Sequence, residues 1–123
     1  MSAGDEGKRP FDQVNEYVPE QTSMLQYERN GVLVVVAPGA CDLDSIAPLA
    51  DALETAAAKQ SRVVVDASGV SFADSTFLNL VLHIHRLTEL RLAAPPPQLR
   101  RVLELTGADA VLDVRATIED ATN

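Results

Sequence analysis

Cysteine is nearly absent from this sequence: Cys41 stands alone among 123 residues. A single thiol cannot close an intrachain disulfide, and such usage points to a reducing compartment. Positive charge is scarce as well. Ten lysines and arginines face eighteen acids, for a formal charge of −8 and a pI near 4.5. Nucleic acid and anionic membrane both need Lys and Arg to neutralise phosphates, so no direct nucleic-acid partner is expected. No apolar run approaches the roughly 20 residues of a membrane helix. The opening MSAGDEGKRP lacks the apolar stretch of a signal peptide. No phosphate-cradling glycine loop occurs. These absences predict a cytoplasmic protein with no membrane insertion and no resident cofactor.

What is present is ordinary for a globular domain: 46% hydrophobic and 23% charged residues. The length is that of one domain, which buries roughly two thirds of its unfolded surface and so supports a core without disulfides or metal. It is short for an enzyme built around a cofactor fold and ample for a binding or regulatory module.

Residues 1–22 read as a flexible acidic tail. Five acids, two bases and two prolines are mixed with scattered apolar residues, too few to offset ordering entropy. Phe11, Val14, Tyr17 and Val18 fall at helical spacing, which leaves a transient helix open. A domain follows over 23–123. Met24, Leu25 and Tyr27 read as a short strand, Asn30-Gly31 as a type I′ hairpin turn, and Val32 to Ala37 as a buried strand. Asp44 or Ser45 is expected to cap a helix whose apolar face is Ile46, Leu49, Ala50, Leu53 and Ala57. Val63-Val64-Val65 suits a central strand covered on both faces. Asp74 or Ser75 can cap a second helix running to Leu87. Leu90, Leu92 and Ala94 alternate with Arg91 and Ala93 as a strand, and Pro95-Pro96-Pro97 opens a third helix capped by Gly107. Ala110 to Val114 reads as a last strand, and Thr117 with Asp120 as the cap of a final short helix. The order is ββαβαβαβα in an α/β domain, an antiparallel hairpin followed by strands whose helical connections favour parallel pairing.

The strongest local feature is Phe72-Ala73-Asp74-Ser75-Thr76-Phe77-Leu78. It sets an acid and two hydroxyls at the start of a very apolar helix. One reading is a plain helix cap. The other is a phosphorylation site, because a helix N-terminus favours an added anion. The stripe Phe77, Leu80, Val81, Ile84 and Leu87 suffices for packing on a sheet. Leu78 and Leu82 widen it, and either a neighbouring helix or a partner protein can cover them.

The segment VVVDASGVSFADSTFLNLVLHIHRL resembles the signature of STAS domains of the anti-sigma-factor-antagonist family. Gly39 through Ser45 resembles that family's Gly-Glu-Leu-Asp loop, and Leu90 through LRRVLELTG its fourth strand and following helix. The resemblance spans nearly all of residues 23–121. It implies a single STAS-like domain with a mixed sheet and helices packed mainly on one face. It also implies an anti-sigma factor antagonist that is not an enzyme. Its partners would be an anti-sigma factor acting as a serine kinase of the GHKL type, and a serine phosphatase. Partner switching would turn on phosphorylation of Ser75, with Thr76 as the alternative acceptor. The implied contact residues are Asp42, Asp44, Asp74, Ser75, Thr76, Phe77, Leu78 and Leu82, in a monomer or weak homodimer. Phe77 stands where the family usually has Gly, which predicts a bulky ring beside the acceptor. Ala40 stands where the first loop usually has an acid. The second function the resemblance offers is a non-switching scaffold or accessory subunit, in a stress-signalling assembly or a lipid-transport ATPase complex. A hydrophobic ring at Phe77 would suit such a permanent interface.

Other constellations yield to simpler readings. His83 and His85, two apart on a helix, point to opposite faces and cannot share a metal ion. Acids beside Cys41 raise a thiol's pKa, so it reads as a small packed residue. Asp42, Asp44, Asp66 and Asp74 are mostly accounted for by caps and turns, so no metal is expected. Ser75 has no local activating base.

Overall fold

The computed structural model describes residues 25–123. The acidic tail over 1–22, its helical spacing, and the expected start of the domain at Ser23 and Met24 lie outside the described residues. The described elements are β1 (Gln26–Arg29), β2 (Val32–Val36), β3 (Ala40–Cys41), α1 (Ala47–Lys59), β4 (Arg62–Asp66), β5 (Phe72–Ala73), α2 (Ser75–His85), β6 (Glu89–Ala93), α3 (Pro97–Thr106), a 3-10 turn (Ala108–Ala110), β7 (Asp113–Arg115) and α4 (Ile118–Ala121).

Five strands form one sheet in the order β1-β2-β4-β6-β7. The hairpin β1–β2 is antiparallel, and every later pair is parallel. Asn30 and Gly31 take φ of 54° and 76°, which is the positive-φ pair a type I′ turn demands. Within the five-strand sheet and its helices, the order expected from sequence is the order observed. An additional two-residue parallel pair, β3 with β5, lies outside that sheet.

Register divides the sheet into two faces, since directly paired residues point the same way and neighbours alternate. The front carries Val35, Val63, Val65, Leu90 and Leu92, all fully buried beneath Leu49 and Leu53 of α1, Phe77, Val81 and Ile84 of α2, and Leu99 and Leu103 of α3. The back carries Val32, Val34, Val64 and Ala93, packed with Ile118 and Ala121 at α4. Helices thus sit mainly on one face, with short α4 on the other. The run Val63-Val64-Val65 is apolar throughout because β4 is central and both its faces are covered.

Arg91 lies on the back face and is only 8% exposed. Its guanidinium donates to the carbonyl oxygens of Ala121 (3.0 Å) and Asn123 (2.8 Å), and it lies 3.3 Å from each of the Glu89 and Asp113 carboxylates. A buried charge needs such partners. Arg91 therefore ties α4 to the sheet.

Four expectations shift. Neither Asp44 nor Ser45 caps α1. Ile46 flanks that helix with no side-chain cap, because Ser45 is engaged with Asp42 in a closed turn. The second helix ends at His85, and Leu87 is exposed, because the chain must turn there to bring Thr88 Oγ1 onto the Gln60 carbonyl at 2.8 Å. The last strand is Asp113–Arg115 rather than Ala110 to Val114. Gly107, at φ 78°, turns the chain into a 3-10 turn first, and pairing with Arg91 to Ala93 then fixes the strand. The first strand is Gln26–Arg29, one residue later than its described part was expected to begin.

Candidate functional site

The site is built where the parallel strands end. After β4 the chain bends, held by Ser68 N–H donating to Asp66 Oδ1 (3.0 Å) and Val70 N–H to the Ala67 carbonyl (3.1 Å). Three donors then converge on the Gly39 carbonyl: Ser71 N–H at 2.7 Å, Phe72 N–H at 3.1 Å and Ser71 Oγ at 3.0 Å. This anchors β5 beside β3, pairing Ala40 with Phe72 and Cys41 with Ala73. Asp42 and Asp74, the next residue of each strand, are thereby brought side by side. The Asp74 N–H donates to the Cys41 carbonyl at 3.4 Å.

Asp74 caps α2. Its backbone is extended, and its Oδ1 accepts from Thr76 N–H at 2.9 Å, satisfying one orphan amide of the first turn. Ser75 is then the first helical residue, and it is exposed. Its hydroxyl stands at the end of the helix where unsatisfied N–H groups and the dipole favour an anion. Asp42 is held in a reciprocal turn. Ser45 N–H and Oγ both donate to Asp42 Oδ1 (3.1 and 2.7 Å), and Asp42 N–H donates to Ser45 Oγ (3.2 Å). Between its ends, Leu43 projects outward with 76% of its surface exposed, and Asp44 is exposed beside it. Phe72 is 55% exposed on the other strand.

Cys41 lies beneath these acids, fully buried, its thiol donating to the Pro38 carbonyl at 3.4 Å. Burial, then the Asp42 and Asp74 carboxylates, push the thiol pKa up to about 11. It is a packed residue and a poor nucleophile.

One expected contact residue is corrected. Phe77 is 0% exposed: its ring points beneath the helix into the core rather than beside the Ser75 hydroxyl. Leu78 is 8% exposed and Leu82 half-buried. Both line a recess: Ser75, Leu78, Asn79 and Leu82 form one wall of a cavity of about 250 Å³, and Thr106, Gly107, Ala108 and Val111 form the other. Asp42, Asp44, Asp74, Ser75 and Thr76 do share one end of the molecule. Sequence reasoning missed the far wall of the cavity, because Val111 was assigned to a strand and nothing in the sequence joins it to Ser75. It also passed over Leu43, although an apolar residue between two acids in a loop was a usable signal.

His83 is exposed and lies roughly 12 Å along the helix from Ser75, at 1.5 Å per residue. Among the described residues, no group of three or more His, Cys, Asp or Glu side chains is placed to hold a metal ion. No helix among them is long and apolar enough to cross a membrane. What the geometry can do is present an exposed hydroxyl, a capped helix end and a carboxylate rim to another macromolecule.

The family model described as "Mlab, STAS domain" matches residues 25–114. An anti-sigma factor antagonist from Mycobacterium paratuberculosis is 28% identical, with a TM-score of 0.73 over 80% of this chain and 89% of that one. An anti-sigma-factor antagonist (STAS) domain protein from Planctomyces limnophilus superposes with a TM-score of 0.72 at 19% identity, over 82% of this chain and 96% of that one. The Bacillus cell fate determinant SpoIIAA in its phosphorylated form superposes with a TM-score of 0.61 at 22% identity, over 80% and 96%. These last two likenesses show the shared fold. A search of curated proteins returns no match.

Proposed function

The chain belongs to the STAS domain family, whose model covers residues 25–114, and from that premise we propose that it is an anti-sigma factor antagonist switched by phosphorylation of Ser75. The observation that carries this reading is the exposed Ser75 hydroxyl at the first position of α2, directly after the capping Asp74. The similarity to the Mycobacterium paratuberculosis antagonist supports it. The partner is an anti-sigma factor that is also a serine kinase of the GHKL type, and a serine phosphatase reverses the modification. The chain itself is a binding protein and catalyses nothing.

Magnitudes explain how a phosphate would switch binding while leaving the fold intact. The phosphate brings about −1.5 to −2 charges. At a helix N-terminus the dipole returns about 0.3–1 kcal/mol, so the domain tolerates it. A partner seated over Ser75 must instead strip water from that anion, at several kcal/mol. A surface attraction to a partner's cation returns at most about 1 kcal/mol. The contact is lost while the antagonist stays folded.

The test is intact mass after incubation with ATP and the GHKL-type anti-sigma kinases of the source genome. One phosphate is expected, abolished by Ser75→Ala and retained in Thr76→Ala. No phosphate from any of those kinases, or a phosphate unaffected by Ser75→Ala, rejects the reading.

One observation favours a second reading, a constitutively bound accessory subunit: the matching family model carries the description "Mlab, STAS domain". The burial of Phe77 removes the surface ring that sequence had offered in its support. Affinity purification separates the two. A GHKL-type kinase supports the first, and a transporter ATPase the second.

A further inference from the structure

The cavity beside Ser75 is not needed for a helix cap or for a phosphoacceptor. It lies between α2 and the turn after α3, with Leu78 and Ala108 nearly buried and Val111 standing 56% exposed in its wall. Its volume is about 250 Å³. An apolar cavity of roughly 150 Å³ admits benzene, whereas drug-sized ligands occupy roughly 300–1,000 Å³. The space therefore suits one large side chain better than a small-molecule ligand.

The charge at its Ser75 end is of one sign, while His83 and Arg86 follow Leu82 at the other end of the α2 wall. Neither residues 37–58 nor residues 63–82 contain Lys, Arg or His. Asp42 and Asp74 stand together next to Ser75, Asp44 extends from the adjoining loop, and Asp109 sits on the 3-10 turn that forms the far wall. Among the described residues, none of these four carboxylates lies within ion-pair distance of a cation. An apolar recess with such a rim complements an apolar side chain flanked by lysine or arginine.

We infer that the Ser75, Leu78, Asn79, Leu82, Thr106, Ala108 and Val111 cavity is an anchor pocket for a large apolar side chain carried on a cationic segment of the protein partner. This rests on the antagonist reading for the partner's identity, but not for the pocket's existence. It also gives the phosphate a place to act. Ser75 is a wall residue, so its phosphate stands at the mouth, where an inserted ring would have to displace that anion's water. The added attraction to flanking lysines is screened by solvent and does not restore insertion.

The experiment uses the full chain and the peptide Ac-Lys-Lys-Phe-Lys-Lys-NH2, read by amide chemical-shift mapping. Expected are saturable shifts at Ser75, Asn79, Thr106 and Val111, at least about fivefold weaker when Phe is replaced by Ser or Lys by Glu. Val111→Ser, on the exposed wall, and Ala108→Leu, which fills the floor, should each weaken binding about fivefold to tenfold. Val111→Ser keeps the test sound if Ala108→Leu fails to fold. Shifts spread along the acidic surface and equal for the Phe and Ser peptides would overturn the pocket, as would full affinity in Val111→Ser. Phosphorylation by intact mass is a separate readout. A phosphorylated chain with no peptide seating rejects the pocket alone, and seating without phosphorylation rejects the switch alone.

Discussion

Replacing Phe77 by the glycine its family usually carries at that position should destabilise this protein severely. Phe77 is the largest of the fully buried side chains and belongs to the front-face core with Leu49, Leu53, Val81 and Leu92. Truncating a buried Phe to Ala costs about 3–5 kcal/mol, the lost transfer energy plus the cavity left behind. Glycine in a helix adds about 1 kcal/mol. Against a typical total of about 5–15 kcal/mol, that is a large share. At a urea slope near 2 kcal/mol per molar, the midpoint falls by about 2 M or more. Phe77→Leu, which keeps most of the volume, should lose less than about 1.5 kcal/mol and leave Ser75 phosphorylation unchanged. Phe72→Ala is the surface control: at 55% exposure it should cost well under the buried substitution. The assay is equilibrium urea unfolding of the three variants beside the parent. A loss below about 1 kcal/mol for Phe77→Gly would refute the reasoning, since it would mean that the ring is not core.

Asp74→Ala should cost about 1 kcal/mol through loss of the Thr76 cap, while Asp74→Asn should retain most of it; urea midpoints decide. Cys41, with its pKa raised from 9.0 to about 11, should carry about a hundredfold less thiolate at pH 8 than the unfolded chain, so thiol-reagent labelling should be at least that much slower in the native protein. The same shift has a stability consequence. The folded state holds its thiol proton longer, so stability falls as pH rises from about 9 towards 11, and Cys41→Ala should flatten that limb. The Arg115 hydrogen bond, aided by the charges of Arg115 and Arg91, holds the Asp113 carboxyl below its ordinary 3.8. Its contribution is therefore present above that value and lost as pH falls through the lower folded one, and Asp113→Asn should reduce the acid-side slope in urea titrations. Arg91→Met should destabilise by about 2 kcal/mol, because it leaves the Ala121 and Asn123 backbone oxygens without their donor while Glu89 and Asp113 keep Arg62 and Arg115, and amide exchange should quicken first over residues 118–122. Ala94 has φ 55°, a conformation that strains a side chain, so Ala94→Gly should be neutral to about 1 kcal/mol stabilising by thermal unfolding.

The elements most legible in the sequence were those whose cause is local. Asn30-Gly31, Asp74, Gly107 and Thr117 each act through their own backbone or the next few amides, and each does in the structure what its chemistry predicts. The three valines of β4 announced a strand covered on both faces because no polar residue interrupts them. Asp44 and Ser45 misled because a short polar side chain serves a turn as readily as a cap, and the turn at Asp42 took Ser45. The β3–β5 pair was invisible: two-residue strands have no periodicity, and they are held by the Gly39 carbonyl's three donors and the Asp74 N–H on the Cys41 carbonyl.

By itself, the sequence determined the α/β order, the resemblance to STAS domains, and the presence of an acid and two hydroxyls at the start of a helix. Those are properties of neighbouring residues. Tertiary structure alone decided which way Phe77 faces, that Arg91 is buried and ties down α4, and that Val111 completes a cavity with Ser75. Hydrophobicity says that a residue seeks cover. Which surface supplies that cover depends on how distant elements pack, and no local pattern encodes it.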